Sequence, residues 1–91
     1  MHKAQSDRGL AELSLAAKLD PANARFAYVY GVALHSAGRV DAAIAALVKA
    51  SEAHPADTDI LQALASFYRD RGEEETALEY IDRLRAVEAE R

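Results

Sequence analysis

Residues 24–57 read ARFAYVYGVALHSAGRVDAAIAALVKASEAHPAD, and a shift of 34 positions lays this stretch over residues 58–91. Pro21 and Pro55 stand at that interval, in AAKLDPAN (16–23) and KASEAHPAD (49–57). The same shift pairs Tyr30 with Leu64, Gly31 with Ala65, Leu34 with Tyr68, Gly38 with Gly72, Ala43 with Ala77 and Leu47 with Ile81. Phe26 over Ile60 and Ala33 over Phe67 are also apolar pairs, less alike in volume. A period of this length marks supersecondary units that stack because none buries its apolar face alone.

Each match has a packing meaning. Gly31 and Ala65 are small where two helices of one hairpin approach closely, and Ala43 and Ala77 are small on the opposing helix. Gly38 and Gly72 fall where a helix must stop, in a left-handed conformation that a β-carbon resists. Asn23 and Asp57 follow the prolines and suit the N-cap, where a side-chain oxygen accepts from free amides of the next helix. These signals predict five helices, at about 5–19, 24–37, 40–53, 58–71 and 74–89. Apolar stripes at three- and four-residue steps agree: Phe26, Val29, Tyr30, Ala33 and Leu34, then Ile60, Leu61, Leu64, Phe67 and Tyr68. The last predicted helix carries Ala77, Leu78, Ile81, Leu84 and Val87, and the first Leu10, Leu13, Ala16, Ala17 and Leu19.

Composition supports an all-α chain of one domain. Its 91 residues are 51 % hydrophobic and 29 % charged, with two prolines and four glycines, which suits a small globular domain and leaves little room for linkers. The net charge of −4 argues against a nucleic-acid partner, because no basic excess neutralises phosphates. Without cysteine there are no disulfides, thiolate metal sites or thiol nucleophiles, and cytoplasm and periplasm both stay open. No apolar run approaches the roughly 20 residues of a membrane span, and the polar start Met1–Leu10 does not read as a signal peptide.

The order of small, aromatic, glycine, alanine and proline positions resembles the tetratricopeptide repeat. In residues 24–57 the family pattern falls on Tyr30, Gly31, Leu34, Gly38, Ala43, Leu47, Ala50 and Pro55, with Ala27 where an early tryptophan is common. Residues 58–91 match through Leu61, Leu64, Ala65, Tyr68, Gly72, Ala77 and Ile81, but Leu84 and Ala89 replace the later alanine and proline. Residues 5–22 match only the second helix of a repeat, through Gly9, Leu13, Ala16 and Pro21. The resemblance implies antiparallel helix-turn-helix hairpins stacked as a short right-handed superhelix. It also implies a partial repeat, a full repeat and a full or degenerate terminal repeat. An unpaired first helix leads us to expect a segment of a longer chain. The wording YGVALHSAGR (30–39) followed by LASFYRDRG (64–72) is similar to C-terminal repeats of larger bacterial proteins of multihaem cytochrome type, although no CxxCH accompanies it.

Arrays of this family bind partner segments in a concave groove lined by the first helix of each hairpin. The resemblance places Arg25, Tyr28, Val32, His35 and Ser36 there from one repeat, and Asp59, Gln62, Ser66, Arg69 and Asp70 from the next. The plain alternative is that each is solvated helix face. The carboxylate-gripping subclass needs Lys and Asn where this chain has Tyr28 and Val32, which argues against that mode. His2, His35 and His54 lack a second ligand at metal spacing, and the serines at 6, 14, 36, 51 and 66 lack any nucleophile motif. Glu73, Glu74 and Glu75 open a helix, where carboxylates are favoured. The run Asp82, Arg83, Arg85, Glu88, Glu90, Arg91 reads as a solvated face.

The expected function is therefore a non-catalytic protein–protein interaction module without cofactor or metal. Its partner would be a protein or peptide, with no nucleic acid and no membrane insertion. The alternative is a capping or docking domain for the rest of a larger protein, or for self-association as a homodimer through uncovered end helices.

Overall fold

The structure, a computed structural model, describes residues 3–90, with side chains from Arg8 onward. His2 and Arg91 and the side chain of Ser6, named above, lie outside that range. Five helices follow one another: α1 (Lys3–Leu19), α2 (Ala24–Ser36), α3 (Val40–Ala53), α4 (Thr58–Asp70) and α5 (Glu74–Ala89). The described residues contain no strand.

The helix ends are where the sequence places them because the same backbone chemistry recurs. Asn23 Oδ1 accepts from the amides of Arg25 at 3.0 Å and Phe26 at 3.4 Å, and Asp57 Oδ1 accepts from Ile60 at 3.0 Å. Each cap satisfies amides that have no partner within the helix. At the other ends, Gly38 (φ 81°) and Gly72 (φ 82°) take the left-handed conformation. The amide of Gly38 donates to His35 O at 3.0 Å and that of Arg39 to Leu34 O at 2.9 Å. The amides of Gly72 and Glu73 repeat this on Arg69 O and Tyr68 O, both at 2.9 Å. Both hairpins therefore turn through a Schellman motif that only glycine enters without strain.

Between repeats, the amide of Asn23 donates to Asp20 O at 3.0 Å and that of Asp57 to His54 O at 3.1 Å. His54 Nε2 lies 3.1 Å from Pro21 O, which ties the two inter-repeat turns together.

α2 pairs with α3 and α4 with α5 as hairpins, while α1 packs on α2 and α3 on α4. The core runs through the stack as Leu10, Leu34, Ile44, Leu47, Ile60, Leu61, Leu64, Phe67 and Tyr80. Gly31 admits Leu47 of the facing helix so closely that a β-carbon there would overlap the Leu47 side chain. Ala43 and Ala77 are buried, as expected of small residues inside a hairpin. Ser51 is the buried polar residue of this core, and its hydroxyl donates to Val48 O at 2.7 Å, so its burial leaves no bond unmade.

The apolar stripes are narrower than the sequence predicts at three places. Phe26 is 37 % exposed, Leu19 75 % and Leu78 57 %, and Leu15 is exposed as well. Leu10, Ile44 and Leu78 occupy the same position at successive 34-residue steps. Leu10 and Ile44 are buried, on helices followed by α2 and α4, whereas no described helix packs on α5 beyond α4. Burial at this position is set by the neighbouring repeat.

Where α4 meets α5, the Tyr68 and Tyr80 rings stack with centroids 5.7 Å apart and planes 13° apart. Burial pushes the Tyr68 phenol above its ordinary 10.0, the charges of Tyr80 and Glu73 push the same way, and Arg71 opposes them. Arg71 Nη1 reaches Asp41 Oδ1 at 3.1 Å on α3, and its Nε lies 2.9 Å from Glu73 Oε2. The second contact is an ion pair without a directional hydrogen bond, since Glu73 Oε2 is buried and accepts none.

Candidate partner-binding groove

α2 and α4, the first helices of the two hairpins, touch along one side of the stack. Between them lies a hollow of about 280 Å³ lined by Tyr28, Val32 and His35 of α2 and by Asp59, Gln62, Ala63, Ser66 and Phe67 of α4. These residues recur at three- and four-residue steps, which puts them on one face of each helix.

Of the ten residues assigned to the groove from the sequence, Tyr28, Val32, His35, Gln62 and Ser66 come together in this hollow. Asp59, read with them, joins the wall, and Arg25 closes its edge. The Arg25 guanidinium lies 3.7 Å from Asp59 Oδ2 and 5.3 Å from the Tyr28 ring centroid. Both charged side chains are largely exposed, so this link orients Arg25 across the two helices and adds little stability.

Ser36, Arg69 and Asp70 are exposed but do not line the hollow. They occupy the last turns of α2 and α4. Two wall residues were not read as groove from the sequence, Ala63 and Phe67. Phe67 belongs to the apolar stripe of α4, and the His35 ring lies flat on it at 3.9 Å with planes 6° apart. The stack makes His35 part of the wall. The 34-residue register sets Phe67 over Ala33, which does not line the hollow, so the repeat pattern alone gives no signal for Phe67 in the wall.

Chemically the hollow combines a hydroxyl (Ser66), an amide that both donates and accepts (Gln62), a phenol (Tyr28) and an imidazole (His35) with apolar Val32, Ala63 and Phe67. Such a surface can hydrogen-bond a peptide backbone while taking an apolar side chain. Among the described residues, no three His, Asp or Glu side chains group to hold a metal ion. No described helix is long and apolar enough to cross a membrane.

The tetratricopeptide repeat family model matches residues 34–91, more than half of the chain. The chain belongs to the tetratricopeptide repeat family. Solved structures agree over more of its length. It is similar to MamA of strain MSR-1, with a TM-score of 0.82 and 27 % identity over 94 % of this chain and 49 % of that one. MamA of strain AMB-1 gives a TM-score of 0.79 and 28 % identity over 91 % of this chain and 49 % of that one. A double mutant of MamA from RS-1 shares the fold, with a TM-score of 0.85 at 24 % identity over 94 % of this chain and 48 % of that one. The tetratricopeptide chain thus spans about half the length of the MamA chains it matches. No curated protein matches the sequence. Tetratricopeptide arrays are typically non-catalytic scaffolds for protein–protein interaction.

Proposed function

We propose that this tetratricopeptide domain takes a peptide or helix of a partner protein in the groove between α2 and α4. The observation that carries the reading is the convergence of Tyr28, Val32, His35, Gln62 and Ser66 with Phe67 on one hollow spanning two repeats. Mixed polar and apolar side chains on a concave face suit recognition by many modest contacts. Partner capture by the chain should be lost in a Tyr28→Ala/Gln62→Ala variant, with circular dichroism unchanged. The same partners recovered by variant and wild type would end this reading, and Arg69→Ala, outside the hollow, is the control that should retain them.

A second reading, docking onto another part of a larger protein or self-association, is favoured by a separate observation. Leu19 and Leu78 are exposed although each belongs to an apolar stripe, and Leu15 is exposed one turn before Leu19. Leu15 and Leu19 on α1 and Leu78 on α5 would be covered by a docked neighbour at either end of the stack. Sedimentation velocity separates the two: concentration-dependent association abolished by Leu78→Ser or Leu15→Ser supports it, and a monomer at all concentrations removes self-association.

A further inference from the structure

A second hollow, of about 380 Å³, opens between α1 and α3 with α2 as its floor. Five alanines line it, Ala17 from α1, Ala27 from α2 and Ala46, Ala50 and Ala53 from α3, with Tyr30 of α2 as the large apolar side chain among them. One period later the positions of Ala27, Ala46, Ala50 and Ala53 are held by Leu61, Tyr80, Leu84 and Val87. Leu61 and Tyr80 are buried, and Leu84 and Val87 pack on the core. The groove between second helices is therefore filled from within in one repeat and left open, by four truncations to alanine, in the other. An open, mostly apolar hollow of this size is a place for a ligand's apolar groups.

The rim selects the charge of that ligand. Lys18 of α1 and Lys49 of α3 both line the hollow, two of the three lysines in a chain of net charge −4, and no carboxylate of the described residues lines it. In the filled groove Lys18 is replaced by Glu52 while Lys49 is replaced by Arg83, so a rim with two cations and no facing carboxylate belongs to the open one. No ion pair of the described residues neutralises either lysine. At the end of the hollow His54 is held by Pro21 O at 3.1 Å, which fixes that wall.

We infer that this pocket is a second binding site, for an acidic peptide segment of a partner protein that presents one or two large apolar side chains. What fills the equivalent space one repeat later is leucine, tyrosine and valine, and here those groups come from outside the chain. Carboxylates beside them meet Lys18 and Lys49. The site lies apart from the hollow between α2 and α4 and shares no lining residue with it.

The test titrates the 91-residue chain, ¹⁵N-labelled, with three synthetic hexapeptides. They are Glu-Glu-Leu-Tyr-Glu-Glu, its analogue with glutamine for every glutamate, and its analogue with lysine. The acidic probe should move the amide resonances of Ala17, Ala27, Lys49 and Ala50 and bind about ten-fold more tightly than the lysine analogue, with the preference falling as salt is raised. Ala50→Leu/Ala53→Val copies the filled repeat and should weaken the acidic probe about ten-fold or more, as expected for removing one buried apolar side chain from the complex. Lys18→Glu/Lys49→Glu alters only exposed positions and should reverse the preference towards the lysine probe. This variant decides the matter if the filled one does not fold. Equal binding of all three probes, no shifts in this pocket up to millimolar peptide, or an unchanged preference in the charge-reversed variant would overturn the inference. Shifts confined to Tyr28 and Gln62 would overturn it too, while favouring the groove between α2 and α4.

Discussion

His35 and Phe67 lie face to face with ring centroids 3.9 Å apart, joining the first helices of successive hairpins along the wall of the groove. Phe67 is also a core residue at 8 % exposure, so its side chain serves packing and groove shape at once. Phe67→Ala should lower unfolding stability by about 3 kcal/mol, and His35→Ala by about 1 kcal/mol. A double-mutant cycle followed by urea denaturation should give a coupling of roughly 0.5–1.5 kcal/mol between them. Additive losses would mean that the two rings are neighbours without being partners.

The approach of α2 to α3 depends on Gly31. A β-carbon there meets the Leu47 side chain inside van der Waals contact, and Leu47 is fully buried. Gly31→Ala should cost about 1–3 kcal/mol by overpacking, despite the better helix propensity of alanine. The second hairpin already carries Ala65 against Ile81 at these positions. Gly31→Ala/Leu47→Ile should therefore recover part of the loss in thermal unfolding. A double variant no better than Gly31→Ala alone would show that the two hairpins close differently.

The period, the helix ends and the hairpin turns were legible because each rests on local backbone chemistry. Asn23, Asp57, Gly38 and Gly72 do the same job wherever they stand relative to their own helix. Burial was legible only as far as it follows from a residue's own helix. Leu10, Ile44 and Leu78 are alike in sequence, and what separates the exposed one is the helix packed against it. The groove shows the same limit. Ser36, Arg69 and Asp70 are polar residues in helix last turns, and periodicity alone does not distinguish them from Gln62 and Ser66, which the crossing of α2 and α4 brings into the hollow. Phe67 was read as core by its stripe, and its place in the groove wall follows from His35 across the repeat boundary.

Glycines in this chain should respond in opposite directions to the same substitution. Gly72 sits at φ 82° with open space around it, so Gly72→Ala should lose about 1 kcal/mol from backbone strain alone. Gly9 lies inside α1, and a β-carbon there meets nothing within 4 Å. Gly9→Ala should gain about 0.5–1 kcal/mol through helix propensity and a less flexible unfolded chain. Removing the caps, by Asn23→Ala or Asp57→Ala, should cost about 1 kcal/mol each. Urea midpoints for the four variants test the set, and a stabilising Gly72→Ala would contradict the Schellman turn.

Alkaline pH should expose the contact between α4 and α5. Burial among Tyr80 and Glu73 raises the Tyr68 phenol above 10.0, so the folded chain holds that proton more tightly than the unfolded one. Below pH 10 both states are protonated and the contribution is intact. Above it the unfolded chain ionises first, and stability falls as pH rises until the folded phenol ionises as well. Tyr68→Phe cannot ionise and still offers a ring to stack on Tyr80, at the 5.7 Å seen between the tyrosines. Urea unfolding from about pH 8 to about pH 11, spanning the ordinary tyrosine range, should show the wild type losing stability faster than Tyr68→Phe above pH 10. Parallel curves for the two proteins through that interval would show that the phenol titrates alike in the folded and unfolded chain, and that burial between α4 and α5 does not restrain it.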